Sequence, residues 1–247
     1  MMSGIGTWNL KVLLLDTDFY ALQAVNSYLA WDRRTRVTYL AEHDADMWAY
    51  INKTPDAELP DVVLMDVVHL APSDLVRSIK RLHDLIPGVQ VLCLLQNVDL
   101  DRIEAAAEAG ARGFMLKSEV RLQIAWGIVY MLEHEFTITQ EIARASRDAR
   151  MSNARVFHAD VLPEQREYPE LTDRIRQAIK LCVVEGMPAH LAADEMGISL
   201  HTIRGYVKEG YRILESYDET EYPVDMTPQE RAFMRFTALA DDPQDDG

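Results

Sequence analysis

Three short apolar runs in this chain each lead into an ionisable residue. Val12-Leu13-Leu14-Leu15 leads into Asp16, Val62-Val63-Leu64-Met65 into Asp66, and Gly113-Phe114-Met115-Leu116 into Lys117. Runs of this kind suit central parallel strands covered on both faces. In open α/β sheets the carboxyl ends of such strands are where ligands and chemistry gather. Alone, Asp66 reads equally well as a helix cap. Two acids and a lysine at three strand ends form a charge constellation that structure alone does not demand. A carboxylate held near a metal and freed of competing water is a phosphoryl acceptor, and a nearby lysine pairs with the phosphoryl oxygens. A second set lies far downstream. His201, Arg204, Lys208 and Arg212 fall near one helical stripe at i, i+3, i+7 and i+11, with Thr202 and Gly205 between them. Such a stripe suits contacts to base edges and phosphates.

Composition narrows the possibilities. The chain has 247 residues, 48% of them hydrophobic, enough to bury substantial cores in one large or two small domains. Its formal charge of −15 opposes loose binding to nucleic acid, though not a locally placed reading helix. The two cysteines, Cys93 and Cys182, share no metal-ligand spacing and fall in predicted buried elements, so a reduced cytoplasm is expected. No signal peptide and no bilayer-spanning apolar run is expected. No nucleophile, base and oxyanion set and no phosphate-cradling glycine loop is present, so an enzyme is not expected.

The elements that must position these residues follow from periodicity. Strands are expected at Lys11 to Asp16, Val37 to Ala41, Asp61 to Asp66, Val91 to Leu95 and Gly113 to Lys117. Helices are expected from Phe19 to Trp31, Asp46 to Ile51, onward from Ser73 as cap, Asp101 to Ala109 and about Val120 to His134. Strands alternating with helices imply a doubly wound parallel sheet, here of five strands. Thr139 to Arg150 reads as a further helix with Thr139 as its cap and Ile142 inward. Met151 to Glu170 lacks periodicity and reads as a linker. An all-α unit follows, with helices from about Ala189 to Met196 and Leu200 to Leu214, Gly197 at the turn and Ser199 as cap. Thr227-Pro228-Gln229-Glu230 is a capping box opening a tail helix that carries Phe233 and Phe236. The expected division is 1–134, a linker with helix at 135–170, a helical domain at 171–240 and an acidic, disordered tail at 241–247.

Residues 10 to 132 resemble the receiver domain of bacterial response regulators. The segment Glu108-Ala109-Gly110-Ala111-Arg112-Gly113-Phe114-Met115-Leu116-Lys117 looks very like that family's EAGAxGYLLK signature. The resemblance implies that Asp66 holds the phosphoacceptor position, Asp16 that of a magnesium-side acid, and Lys117 that of the counter-cation, with Asp16 and Asp66 as weak ligands of magnesium. The departures matter as much. The family's second adjacent acid is Thr17 here, and a hydroxyl is a poorer ligand for a hard cation. Its Ser or Thr at the end of the fourth strand is Leu95, which cannot donate to a phosphoryl oxygen. The receiver therefore reads as degraded and regulated without phosphate.

Leu171 to Leu214 resembles the LuxR-type helix-turn-helix domain through Leu171-Thr172, Glu185-Gly186, Ile198-Ser199 and Thr202-Ile203-Arg204, with one residue inserted before Glu185. By that resemblance His201, Thr202, Arg204, Gly205, Lys208 and Arg212 face double-stranded DNA. Cations and acids balance between Leu171 and Glu215, so one copy should bind weakly and a homodimer on a two-part site would compensate. A transcription regulator, answering to a sensor kinase or a protein partner, is the leading expectation. An adaptor that senses a ligand or partner and does not bind DNA is the alternative.

Overall fold

The computed structural model describes residues 9–151, 153–217, 220 and 222–240. The acidic segment 241–247 lies outside the described residues. The chain divides between Pro163 and Glu164 into two compact units.

In the first unit every strand runs parallel. β1 (Leu10–Leu15), β2 (Thr35–Ala41), β3 (Val62–Asp66), β4 (Gln90–Leu95), β5 (Gly113–Leu116), β6 (Thr137–Ile138) and β7 (Asp160–Val161) form one sheet in the order β2-β1-β3-β4-β5-β6-β7. The five-strand expectation is therefore corrected to seven. The extra two come from the stretch read as linker. Each is two residues long, too short to carry an alternating pattern that periodicity could detect. Helices α1 (Phe19–Ala30), α2 (Asp44–Lys53), α3 (Pro72–Leu85), α4 (Leu100–Ala109), α5 (Lys117–Val120), α6 (Ile124–Glu133), α7 (Gln140–Asp148) and α8 (Ala154–Phe157) complete the unit. β3 is buried along its whole length, as a two-faced parallel strand must be.

Local chemistry sets the helix ends. Asp18 caps α1, accepting from the amides of Tyr20 and Ala21 at 2.9 and 3.1 Å. The cap expected of Ser73 is not made. Pro72 opens α3 as the first helical residue, where its missing N–H costs nothing. The helix expected from Val120 to His134 is broken into α5 and α6. Between them Arg121 sits at φ 32°, its Nε donating to the Ser118 carbonyl at 2.6 Å. Thr139 precedes α7 but does not cap it. Its hydroxyl accepts instead from the Leu116 amide at 3.2 Å, while Glu119 receives the Glu141 amide at 3.1 Å. Ile103, Ala106, Val120 and Ile124 are buried inside this unit.

The second unit is helical: α9 (Asp173–Ile179), α10 (Ala189–Met196), α11 (Leu200–Ser216) and α12 (Pro228–Phe236), with Gln165 and Leu239 paired antiparallel at its ends. A π-helical turn over Lys180–Val184 continues α9. A π turn holds one residue more than an α turn. Gly197 takes the left-handed conformation, φ 64°, between α10 and α11. Ser199 then caps α11 through the Thr202 amide at 3.1 Å. The capping box at Thr227 and Glu230 is formed in full. Phe233 and Phe236 are buried within the unit. No helix among the described residues is long and apolar enough to cross a membrane.

Candidate functional site

The sheet order brings three of the sequence-predicted residues together. β1 and β3 are neighbours across the point where strand order reverses, the usual crevice in open parallel sheets. Asp16 follows β1, Asp66 ends β3, and Lys117 follows β5, so all three stand at the carboxyl edge. Asp16 and Asp66 are only 5% and 3% exposed.

Their hydrogen bonding is symmetrical. The Lys117 ammonium lies 2.6 Å from Asp16 Oδ2 and 2.5 Å from Asp66 Oδ2. The other oxygens take backbone donors: Asp16 Oδ1 accepts from the Asp18 amide at 2.9 Å, and Asp66 Oδ1 from the Val68 amide at 2.9 Å. All four carboxylate oxygens are thus engaged, and one internal cation sits between two anions. Burial opposes charge on Lys117, but the hydrogen bonds and charges of Asp16 and Asp66 outweigh it and hold the ammonium above the ordinary lysine range. Beneath them the Cys93 thiol is pushed up by burial first and by the charge of Asp66 second, so it is unreactive.

The remaining predicted positions do not complete a metal or phosphoryl site. Thr17 is exposed and Asp18 is spent on the α1 cap. Leu95, 4% exposed, belongs to the hydrophobic core. Among the described residues no group of three or more His, Cys, Asp or Glu could hold a metal ion. Magnesium keeps several waters and is usually bound through one or two carboxylates; here both carboxylates, Asp16 and Asp66, are bridged by Lys117, so an ion would have to share their oxygens with the ammonium or displace it.

Arg102, which the sequence reading passes over, and His69, which reads as a surface loop histidine, shape the site. Arg102, on α4, pins the loop after Asp66, with Nε donating to the Leu70 carbonyl at 2.8 Å and Nη2 to that of Val68 at 3.3 Å. His69, in that loop, faces Asp44 at 3.2 Å. An arginine in the first turn of a helix carries no local signal of such a role.

In the second unit the predicted stripe lies on α11. His201, Arg204, Gly205, Lys208 and Arg212 are exposed, while Ile203, Ile213 and Leu214 are buried on the opposite side. His201, Arg204 and Lys208 make no ion pair among the described residues. Arg212 differs: its guanidinium grips Glu209 through two bonds of 3.0 and 2.6 Å. That contact lowers the pKa of Glu209 and makes Arg212 less available to an outside anion. The Thr202 hydroxyl is engaged with Ser199 Oγ at 2.7 Å. A Cβ on Gly205 would meet nothing within 4 Å, so a flat surface could approach there. Gly210 is the opposite case. A Cβ there would meet Ile179 side-chain atoms at 2.6 Å, so α9 and α11 pack against each other at a bare backbone.

No family model matches the chain. It is 24% identical over 220 residues to the response regulator protein VraR of Staphylococcus saprophyticus, spanning 86% of this chain and 93% of that protein. It is also 24% identical over 165 residues to the transcriptional regulatory protein LiaR of Bacillus subtilis, spanning 67% of this chain and 74% of that protein. A structure of two RcsB dimers bound to two parallel DNAs superposes with a TM-score of 0.50 at 15% identity, covering 81% of this chain and 89% of that one. The last likeness is one of fold. The two curated relatives carry the resemblance to response regulators, and the match to the first runs along nearly its whole length.

Proposed function

We propose that this chain, similar in sequence to response regulators, is a DNA-binding transcription regulator whose receiver-like unit works without phosphate. The observation that carries the DNA reading is the outward stripe of His201, Arg204 and Lys208 on α11, directly after the tight turn at Gly197 and the Ser199 cap. Arg204 suits guanine, since its fork bonds two acceptors at once, and Lys208 suits a phosphate. The bridged Asp16–Lys117–Asp66 cluster supports the second half of the reading. Lys117 bridges both carboxylates, where a metal would compete with its ammonium, and Leu95 offers no donor for a phosphoryl group, so no reaction of its own is assigned to the chain. The protein works in the cytoplasm as a homodimer on a two-part site, because the segment Leu171 to Glu215, whose cations and acids balance, needs two contacts to hold DNA.

Selection of bound sites from random duplexes, followed by titration, tests this. Arg204→Ala should cost about 1–3 kcal/mol and relax one base position, and Lys208→Ala should lower the salt slope by about one unit. Arg212→Ala should matter least of the three, because Glu209 already holds that guanidinium. If wild type enriches no sequence, the excess of acid over base across the chain favours the other reading, an adaptor that binds a protein partner.

A further inference from the structure

The stretch from β6 to β7 lines a pocket of about 100 Å³ that is open on one side. β6, α7, α8 and β7 wall it. Ile138, Ala143, Val156, Val161 and the ring of Phe157 line it, together with Ser146. One ordinary rule of protein interiors fails here: buried polar groups find hydrogen-bond partners. The hydroxyl of Ser146, a residue 6% exposed, has no hydrogen-bond partner, although it borders a pocket with room for a small molecule. Arg147 also borders the cavity, but it is exposed, and its Nε is bonded along its own helix to the Ala143 carbonyl at 3.2 Å. Ser146 is thus the buried polar group of an otherwise apolar lining. Phe157 is 69% exposed, a large apolar ring held at the surface beside the void.

We infer that this pocket is a binding site for a small neutral molecule, a ring or branched chain of about six or seven heavy atoms bearing one hydroxyl and seated partly in the open mouth. The size follows from the volume: an apolar cavity of ~150 Å³ in another protein encloses benzene whole, so a pocket of about 100 Å³ that is open on one side covers most of such a ring and leaves its edge to solvent. The hydroxyl follows from Ser146, which can both donate and accept. Neutrality follows from the absence of a buried charge in the lining. The walls are firm. Arg155 ties α8 to the carbonyls of Ala111 and Glu135 at 3.1 Å each, and Thr139 ties β6 to the Leu116 amide, one residue before Lys117. The site does not depend on the DNA-binding reading, since all of it lies in the first unit.

Phenol and toluene are the probes, matched in shape and differing by the hydroxyl. The full chain is titrated with each and followed through the methyl signals of Ile138, Ala143, Val156 and Val161. Saturable shifts confined to these methyls are expected, with phenol bound about fivefold more tightly than toluene, the effect of one hydrogen bond. Ser146→Ala should erase that preference and still fold, because it removes a hydroxyl that bonds to nothing. Ala143→Leu should fill the void and abolish binding of both. Absence of saturable shifts in wild type, or shifts that persist unchanged in a folded Ala143→Leu, overturns the site. Equal affinity of wild type for the two probes overturns the role of Ser146 and with it the stated ligand class. Should Ala143→Leu not fold, the comparison of wild type with Ser146→Ala decides alone.

Discussion

Replacing Lys117 by Met is the sharpest probe of the acid cluster. Methionine keeps the length of the stem and removes the ammonium. Two carboxylates, with side chains 7% and 4% exposed, are then left facing each other with no cation between them. Removing one partner of a buried ion pair costs about 3–5 kcal/mol. Trp31, Trp48 and Trp126 belong to the first unit and the helical domain has no tryptophan, so tryptophan fluorescence in a urea titration follows the first unit. The double variant Lys117→Met with Asp66→Asn should recover most of the loss. In wild type the raised pKa of Lys117 has its own signature. Its contribution is fully present below the unfolded lysine value, about 10.4, and is lost as pH rises through the higher folded value. The variant should lack that alkaline loss. A Lys117→Met protein within 1 kcal/mol of wild type at pH 7, or one that keeps the alkaline loss, would refute the bridge as the organising contact of this site.

Three further outcomes are expected. Acetyl phosphate with magnesium should leave the intact mass unchanged over an hour; rapid addition of one phosphoryl group, lost in Asp66→Ala, would show that the lysine bridge opens readily. Gly210→Ala should destabilise the helical unit by about 1–3 kcal/mol, because the new methyl overlaps Ile179, and thermal melting followed by helical circular dichroism checks it. Limited proteolysis should cut first near the Pro163–Glu164 division, leaving two folded fragments; a first cut between Met131 and Phe136 would contradict the paired β6.

The parts of the fold legible in the sequence are those with a period. The five longer strands and their flanking helices announce themselves through apolar runs and helical spacing, and the strand-end positions of Asp16, Asp66 and Lys117 follow directly. The caps made by Ser199 and Thr227 are equally legible, because they rest on side chains a few residues from the amides they serve. What escapes is non-local. β6 and β7 exist only through their partners, since two residues have no pattern of their own. Thr139 looks like a cap and is drawn away by the Leu116 amide from across the sheet. The grip of Arg102 on the Asp66 loop spans 32 and 34 residues. The four bonds that close the acid cluster depend on which side chain reaches which oxygen, and strand ends alone do not say that. The Arg212–Glu209 pair is three residues apart and could have been read from spacing; the stripe drew attention first.

The two short strands also change where the first unit can be cut. Similarity to receivers would place its end near residue 134. A fragment ending there strips β6 from β5, a strand of Gly-Phe-Met-Leu that is buried throughout. It would also uncover Phe114 and the α4 surface that α7 and α8 cover. Such a fragment presents a bare apolar edge to any other strand in solution and is primed to aggregate. One carried through Pro163 instead ends its sheet on β7, a two-residue edge too short to template another chain. The stretch that reads as a tether is, in material terms, the hem of the sheet.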